Sequence, residues 1–208
     1  LALDEGEISF SNVIQKILGD RETVFKDPID GLIFLDGDRL VKGAPIGLST
    51  YLSLIGSPYL SGLLDEFITP GSDNQPLVQT SRFCPYTCTF CVSGKSRGKL
   101  RGYPMEQIKE ELKYISKKYA DRPHHTLRMA DENFGVLKRD VEIAEAINKC
   151  TDDFGYPQSV MFFNDKRFTK ISRKILEILR KQSQRGVILA MQSGNALTLQ
   201  ASNRRNIT

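Results

Sequence analysis

Ser81-Arg82-Phe83-Cys84-Pro85-Tyr86-Thr87-Cys88-Thr89-Phe90-Cys91-Val92-Ser93-Gly94 holds three of the chain's four cysteines, spaced C-x3-C-x2-C. The stretch follows a short apolar run at 77–80 that reads as a strand. It precedes an amphipathic helix over 105–119, with Ile108, Leu112 and Ile115 on one side. The same alternation continues downstream. Strands are expected at 126–130, 159–163 and 187–191, helices at 139–149 and 172–182, and a further helix starts within 196–205. Four β–α units in a row imply α/β architecture with a parallel sheet, because parallel neighbours need a crossover helix. Each strand is a short continuous apolar run, as expected where both faces are covered. In such sheets the chemistry sits at the carboxyl ends of the strands. Polar residues gather at those ends: Cys84 to Cys91, Asp131-Glu132-Asn133, Asn164-Asp165-Lys166 and Gln192-Ser193.

Three neighbouring cysteines make poor disulfide staples, and their spacing reads as metal-binding in a reducing compartment. A compact run of soft thiolates suits an iron–sulfur cube, and three thiolates leave one of four irons open to chelate another molecule. Structural zinc usually takes two separated Cys or His pairs, and no second pair is present. His124 and His125, the only histidines, precede a strand and read as turn residues. Cys150 lies late in a helix and reads as a buried thiol rather than a fourth ligand. The run Lys95, Arg97, Lys99, Arg101 reads as a solvated loop or as a contact for an anionic substrate.

With an aromatic before its last cysteine, on a loop directly after the first strand of a β/α series, this stretch resembles the signature of the radical S-adenosylmethionine (SAM) superfamily, over residues 76–207. The resemblance implies a (βα)6 barrel, here partial with about four units. It implies that Cys84, Cys88 and Cys91 bind a 4Fe–4S cluster, that Phe90 lies near the adenine, and that the open iron takes the amino and carboxylate groups of SAM. One electron then splits SAM into methionine and a 5′-deoxyadenosyl radical, which removes hydrogen from a substrate. Glu132 and Asn133 fall where the superfamily places groups for the SAM ammonium; a helix cap is the other reading of this stretch. Gln192-Ser193-Gly194-Asn195, followed by Arg204-Arg205-Asn206, resembles the QSG…R motif by which the fourth strand's end helps hold SAM. Asn164 and Lys166 read as contacts for a carboxylate of SAM or substrate, or as plain loop residues.

Upstream, a helix is expected over 11–18, with Val13, Ile14, Ile17 and Leu18 on one face. A hairpin follows: Gly31-Leu32-Ile33-Phe34-Leu35, a turn at Asp36-Gly37, and Arg39 to Lys42. The segment 43–76, rich in Gly, Pro and Ser and interrupted by an amphipathic piece at 60–67, is the boundary candidate. This region resembles the closing part of a Rossmann-like cobalamin-binding domain, which precedes the barrel in one radical SAM branch. The expected domains are therefore a cobalamin-domain remnant at 1–55, a linker at 56–75 and a truncated radical SAM core at 76–208. The start without Met and the stop before a fifth strand suggest a fragment.

The 208 residues, 40% hydrophobic and 26% charged with a net charge of +4, suit one core plus part of another. No apolar run nears the roughly 20 residues of a membrane span, and no export signal opens the chain. The mild charge gives no nucleic-acid coat. The expected function is a cytoplasmic radical SAM enzyme using a 4Fe–4S cluster, SAM and, in the branch indicated, cobalamin, to methylate a small molecule. The expected partners are that small-molecule substrate and an electron donor such as flavodoxin or ferredoxin, with neither membrane nor nucleic acid. A methylthiotransferase-like enzyme acting on RNA or protein and a non-catalytic metal-binding module are the alternatives.

Overall fold

A computed structural model describes residues 1–2, 5–19, 21, 24–48, 52–69, 72–95, 99–121, 126–182 and 189–204. Its backbone divides into two units, Leu1–Tyr51 and Leu52–Thr208. In the first, helix α1 (Gly6–Gly19) begins ahead of the apolar spacing that starts at Ser11, with Glu7 in its first turn, where an acid suits the helix dipole. Strands β1 (Ile33–Asp36) and β2 (Arg39–Lys42) form the expected hairpin, with Asp36 opposite Arg39. Gly37, at a φ of 60°, supplies the positive φ that a two-residue loop needs. Ile8, Phe10 and Leu18 of α1 are exposed in this chain.

The second unit contains β3 (Leu77–Val78), β4 (Ser81–Arg82), α2 (Val92–Lys95), β5 (Arg101–Gly102), α3 (Met105–Tyr119), β6 (Thr126–Met129), α4 (Asp140–Phe154), β7 (Ser159–Met161), α5 (Lys170–Ile178) and α6 (Ala196–Ala201). Strands β3, β6 and β7 form a parallel sheet in that order, so three consecutive β–α units are seen as expected. Of the fourth expected strand, 187–188 lie outside the described residues, and 189–191 are not assigned to a strand. Helices α3 and α4 pack together, as do α4 and α5. Ile108, Leu112 and Ile115 of α3, Ile143 and Ile147 of α4, and Ile175 of α5 are buried with Val78, Leu127 and Val160 of the strands. Gly155 closes α4 in the left-handed region, its N–H bonding to Thr151 O.

Among the described residues only one face of this sheet is covered, which differs from the expectation of strands buried on both sides. Leu77 pairs with Arg128, and Arg128 with Met161. Leu77 is 55% and Met161 40% exposed, and Arg128 is exposed between them. The side-chain period of two sends alternate residues to opposite faces, and the helices account for one face alone. Segment 52–69 is no free connection, since Leu52, Tyr59 and Ile68 belong to the core of the second unit. The Tyr59 hydroxyl donates to Leu77 O at 3.1 Å and accepts from Leu77 N at 2.9 Å, covering the edge of β3.

Candidate functional site

The cysteine loop has a built neck. The strand expected over 77–80 stops at Val78, because Thr80 and Ser81 turn toward the end of β6. There the buried Asp131 carboxylate accepts from Thr80 N at 3.0 Å, Thr80 Oγ1 at 2.8 Å and Ser81 Oγ at 2.6 Å. Strands β4 and β5 then pair antiparallel across the two ends of the loop. Arg139, from the start of α4, donates to Thr80 O at 2.6 Å and Tyr103 O at 2.5 Å, one carbonyl on each side of the neck. Gly102 makes room for this clamp: a Cβ there would lie 2.4 Å from the Arg139 guanidinium carbon. Phe83 enters the loop at a φ of 75°, with the Arg101 guanidinium 4.9 Å from its ring centre. A bulky residue at positive φ is a strained position of the kind found at functional sites.

Inside the loop all three thiols are free, with Cys84 and Cys88 buried and Cys91 half-buried. The loops after β6 and β7 converge on Cys84. Asn133 Nδ2 lies 3.0 Å from Cys84 Sγ, and Lys166 Nζ lies 3.7 Å from the same sulfur. Lys166 also donates to Asn133 Oδ1 and, at 3.4 Å, to Glu132 O. A parallel bridge between Phe134 and Asn164 fixes the two loops side by side. The segment after α6 meets Cys88: Arg204 Nη1 lies 3.7 Å from its sulfur, and Arg204 also donates to Ala190 O. Thr89 N bonds to Ser202 O at 2.9 Å, and Asn203 Nδ2 to Thr87 Oγ1 at 2.6 Å, docking that segment on the loop.

Tyr86, between the first two cysteines, ties the loop to β7's end. Its hydroxyl donates to Asp165, accepts from Arg167 Nε at 3.0 Å, and is pushed up to about 12 by burial and by the Asp165 carboxylate. Asn164 Oδ1 and Asp165 Oδ2 are buried without a partner among the described residues. Loops from several strand ends line a cleft of about 240 Å³, formed by Pro85, Tyr86, Thr87, Val136, Arg167 and Asn203. A larger groove of about 420 Å³ runs along α3 and α4 past Lys109, Glu142 and Cys150, on helices rather than strand ends. The smaller cleft, lined by Pro85, Tyr86 and Thr87, is the one that borders the cysteine loop.

Of the residues singled out in the sequence, Cys84, Cys88, Asn133, Lys166 and Arg204 are brought together. Cys91 joins them through the loop, its N–H bonding to Cys88 O at 3.1 Å. Phe90 is 55% exposed, Gln192 is exposed at a φ of 65°, and Ser193 and Glu132 are half-buried. His124, His125, Arg97, Arg205 and Asn206 lie outside the described residues. Lys99 is exposed, while Arg101 is used in the neck. Cys150 is buried on α4, and burial pushes its thiol up, as suits a packing role. Sequence reasoning missed Tyr86, Arg139 and Gly102; the one local signal was a glycine facing no turn.

The donor set suits an iron–sulfur cluster: three unpaired thiols in a protected loop, with N–H donors aimed at two of the sulfurs. Among the described residues, no three His, Cys, Asp or Glu side chains are grouped to hold a single metal ion. A cube, whose thiolates sit on separate corners, needs no such convergence.

The family model of the radical SAM superfamily matches residues 78–208. The chain is 30% identical to the cobalamin-dependent radical SAM methyltransferase TokK of Streptomyces tokunonensis, over 100% of this chain and 30% of TokK. It is also 30% identical to the 2-(S-pantetheinyl)-carbapenam-3-carboxylate methyltransferase of Streptantibioticus cattleyicolor, over 98% of this chain and 30% of that enzyme. It thus spans about a third of the length of these relatives. Among solved structures, the cobalamin-dependent SAM radical enzyme OxsB superposes with a TM-score of 0.61 at 19% identity, over 96% of this chain and 29% of that one. That likeness concerns the fold.

Proposed function

Because the chain belongs to the radical SAM superfamily, we propose that Cys84, Cys88 and Cys91 hold a 4Fe–4S cluster at which SAM is cleaved. The observation that carries this reading is the convergence of two strand-end loops, after β6 and β7, and the segment after α6 on one cysteine loop, through Asn133, Lys166, Asp165 and Arg204. When bound, the cluster supplies the electron that splits the sulfonium carbon–sulfur bond, giving methionine and a 5′-deoxyadenosyl radical.

The chain's own residues prepare that event. Asp131 and Arg139 fix the neck, so the three thiols are presented together rather than on a loose loop. Asn133 and Lys166 satisfy Cys84, and Arg204 satisfies Cys88, which offsets the cost of burying thiolates. Phe90, exposed beside the last cysteine, offers a ring face to the adenine. The Glu132 carboxylate has no hydrogen-bond donor among the described residues and stands available to the SAM ammonium. Gln192 and Ser193 complete the SAM wall from the fourth unit.

We assign the subsequent reaction to cobalamin-dependent methylation of a small molecule. The names of the two curated relatives, both methyltransferases aligned along nearly the whole chain, support this. In that reading 1–55 closes a cobalamin-binding domain, 56–75 leads into the core, and 76–208 is the radical SAM core. Cobalamin would meet its domain there, and an acidic flavodoxin or ferredoxin would deliver the electron in the cytoplasm. No helix among the described residues is long and apolar enough to cross a membrane. The test is anaerobic reconstitution with iron and sulfide, then dithionite and SAM: 5′-deoxyadenosine should form, and its absence from a cluster-loaded protein would remove the enzyme reading. Cobalamin retained through purification by the full-length chain, seen in the visible spectrum, separates methyl transfer from methylthiolation.

A further inference from the structure

We propose that Lys166 and Arg204 set the reduction potential of the cluster, holding it above the value that the cysteine loop alone would give. The inference rests on the cluster assignment above. Lys166 Nζ stands 3.7 Å from Cys84 Sγ, and Arg204 Nη1 stands 3.7 Å from Cys88 Sγ. Asn133 joins the first pair: its Oδ1 accepts from Lys166, and its Nδ2 reaches the same sulfur at 3.0 Å. Two cysteine sulfurs thus each face a cation from a distant part of the chain, 82 and 116 residues away.

The physical argument is one of charge. Reduction adds an electron to an already anionic assembly of sulfides and thiolates. A cation near a ligand sulfur stabilises the reduced form more than the oxidised one, and a hydrogen bond to sulfur acts in the same direction. Solvent screens little of it at Cys88, where Cys88 is 2% and Arg204 6% exposed, and more of it at Cys84, where Cys84 is 8% exposed but Lys166 is half-buried. A purely mechanical role would not require charge, since the neck is already held by Asp131 and Arg139. The donor physics also favours this placement: a cluster that must accept an electron from a soluble carrier gains from nearby positive charge.

The experiment is an EPR-monitored redox titration of the cluster-loaded protein without SAM, with iron and sulfide counted in every sample. Lys166→Met and Arg204→Met should each shift the one-electron equilibrium about tenfold against reduction, 59 mV at one electron. Lys166→Arg and Arg204→Lys, which keep the charge, should stay within about threefold of wild type. Met variants that keep their iron and titrate like wild type would overturn the proposal. Met variants that lose the cluster would overturn it too, by assigning the cations to holding rather than tuning. A wild-type protein that takes up no 4Fe–4S cluster would instead overturn the parent reading.

Discussion

Thr80 gives both of its donors, backbone N–H at 3.0 Å and hydroxyl at 2.8 Å, to the carboxylate of Asp131, 51 residues further on. Both residues are buried, and Ser81 adds a third bond to the same carboxylate. Bonds to a buried charge are worth about 1.5–3 kcal/mol each, and an orphaned buried donor costs a similar amount. Asp131→Ala should therefore destabilise the second unit by at least about 3 kcal/mol. Asp131→Asn, which keeps one acceptor, should cost less. Urea unfolding of the three proteins checks the order, and an Ala variant as stable as wild type would contradict it.

The Arg139 clamp gives a second prediction. A methyl group at Gly102 would stand 2.4 Å from the guanidinium carbon. Arginine is flexible enough to move aside, so the cost lies in the two lost bonds to Thr80 O and Tyr103 O rather than in the clash. Gly102→Ala should loosen the neck and lower the iron bound per chain after reconstitution. Arg139→Met should do the same, and full iron loading in both would show the clamp to be dispensable.

Asp140 gives a pH dependence. Its carboxylate accepts from Gly135 N and Leu137 N, both at 2.9 Å and both at one oxygen, and burial pushes the group up to about 6. The unfolded value is near 3.9. The folded state thus binds this proton more tightly, so the contribution to stability is greatest below about pH 4 and is lost as pH rises through about 6. Asp140→Asn keeps the acceptor and removes the ionisation. Its stability between pH 4 and 6 should fall less steeply than wild type's, measured by urea unfolding at each pH; parallel curves would contradict the assignment.

Phe90 separates binding from folding. Its exposure of 55% means that little core packing is lost in Phe90→Ala, so stability should change by less than about 1 kcal/mol. An aromatic contact of about 1 kcal/mol with adenine corresponds to roughly fivefold weaker SAM binding. Calorimetric titration of cluster-loaded protein with SAM reads this directly. Equal affinity would remove Phe90 from the SAM wall.

Much of this was legible from local pattern. The apolar period of 105–119 gives α3 to the residue, and the spacing of Cys84, Cys88 and Cys91 announces the loop before any coordinates. Position after a strand was enough to single out Asn133 and Lys166, and the resemblance to a QSG…R motif singled out Arg204. What local pattern does not carry is pairing across distance. Strands β4 and β5 are two residues each, too short for any periodicity, and Arg139 looks like any helix-start arginine until it meets Thr80 O. Tyr86 finds Asp165 79 residues away. The exposed row Leu77, Arg128 and Met161 had one local signal, the arginine inside β6, but its apolar neighbours on β3 and β7 are too short to show a period of two.

The most direct test of the central claim is the EPR spectrum of reduced, reconstituted protein before and after SAM is added. Three thiolates leaving one iron open predict a 4Fe–4S signal that shifts when SAM binds. The signal should be lost in Cys84→Ala, Cys88→Ala and Cys91→Ala and retained in Cys150→Ala. A signal indifferent to SAM, or one that depends on Cys150, would contradict the account.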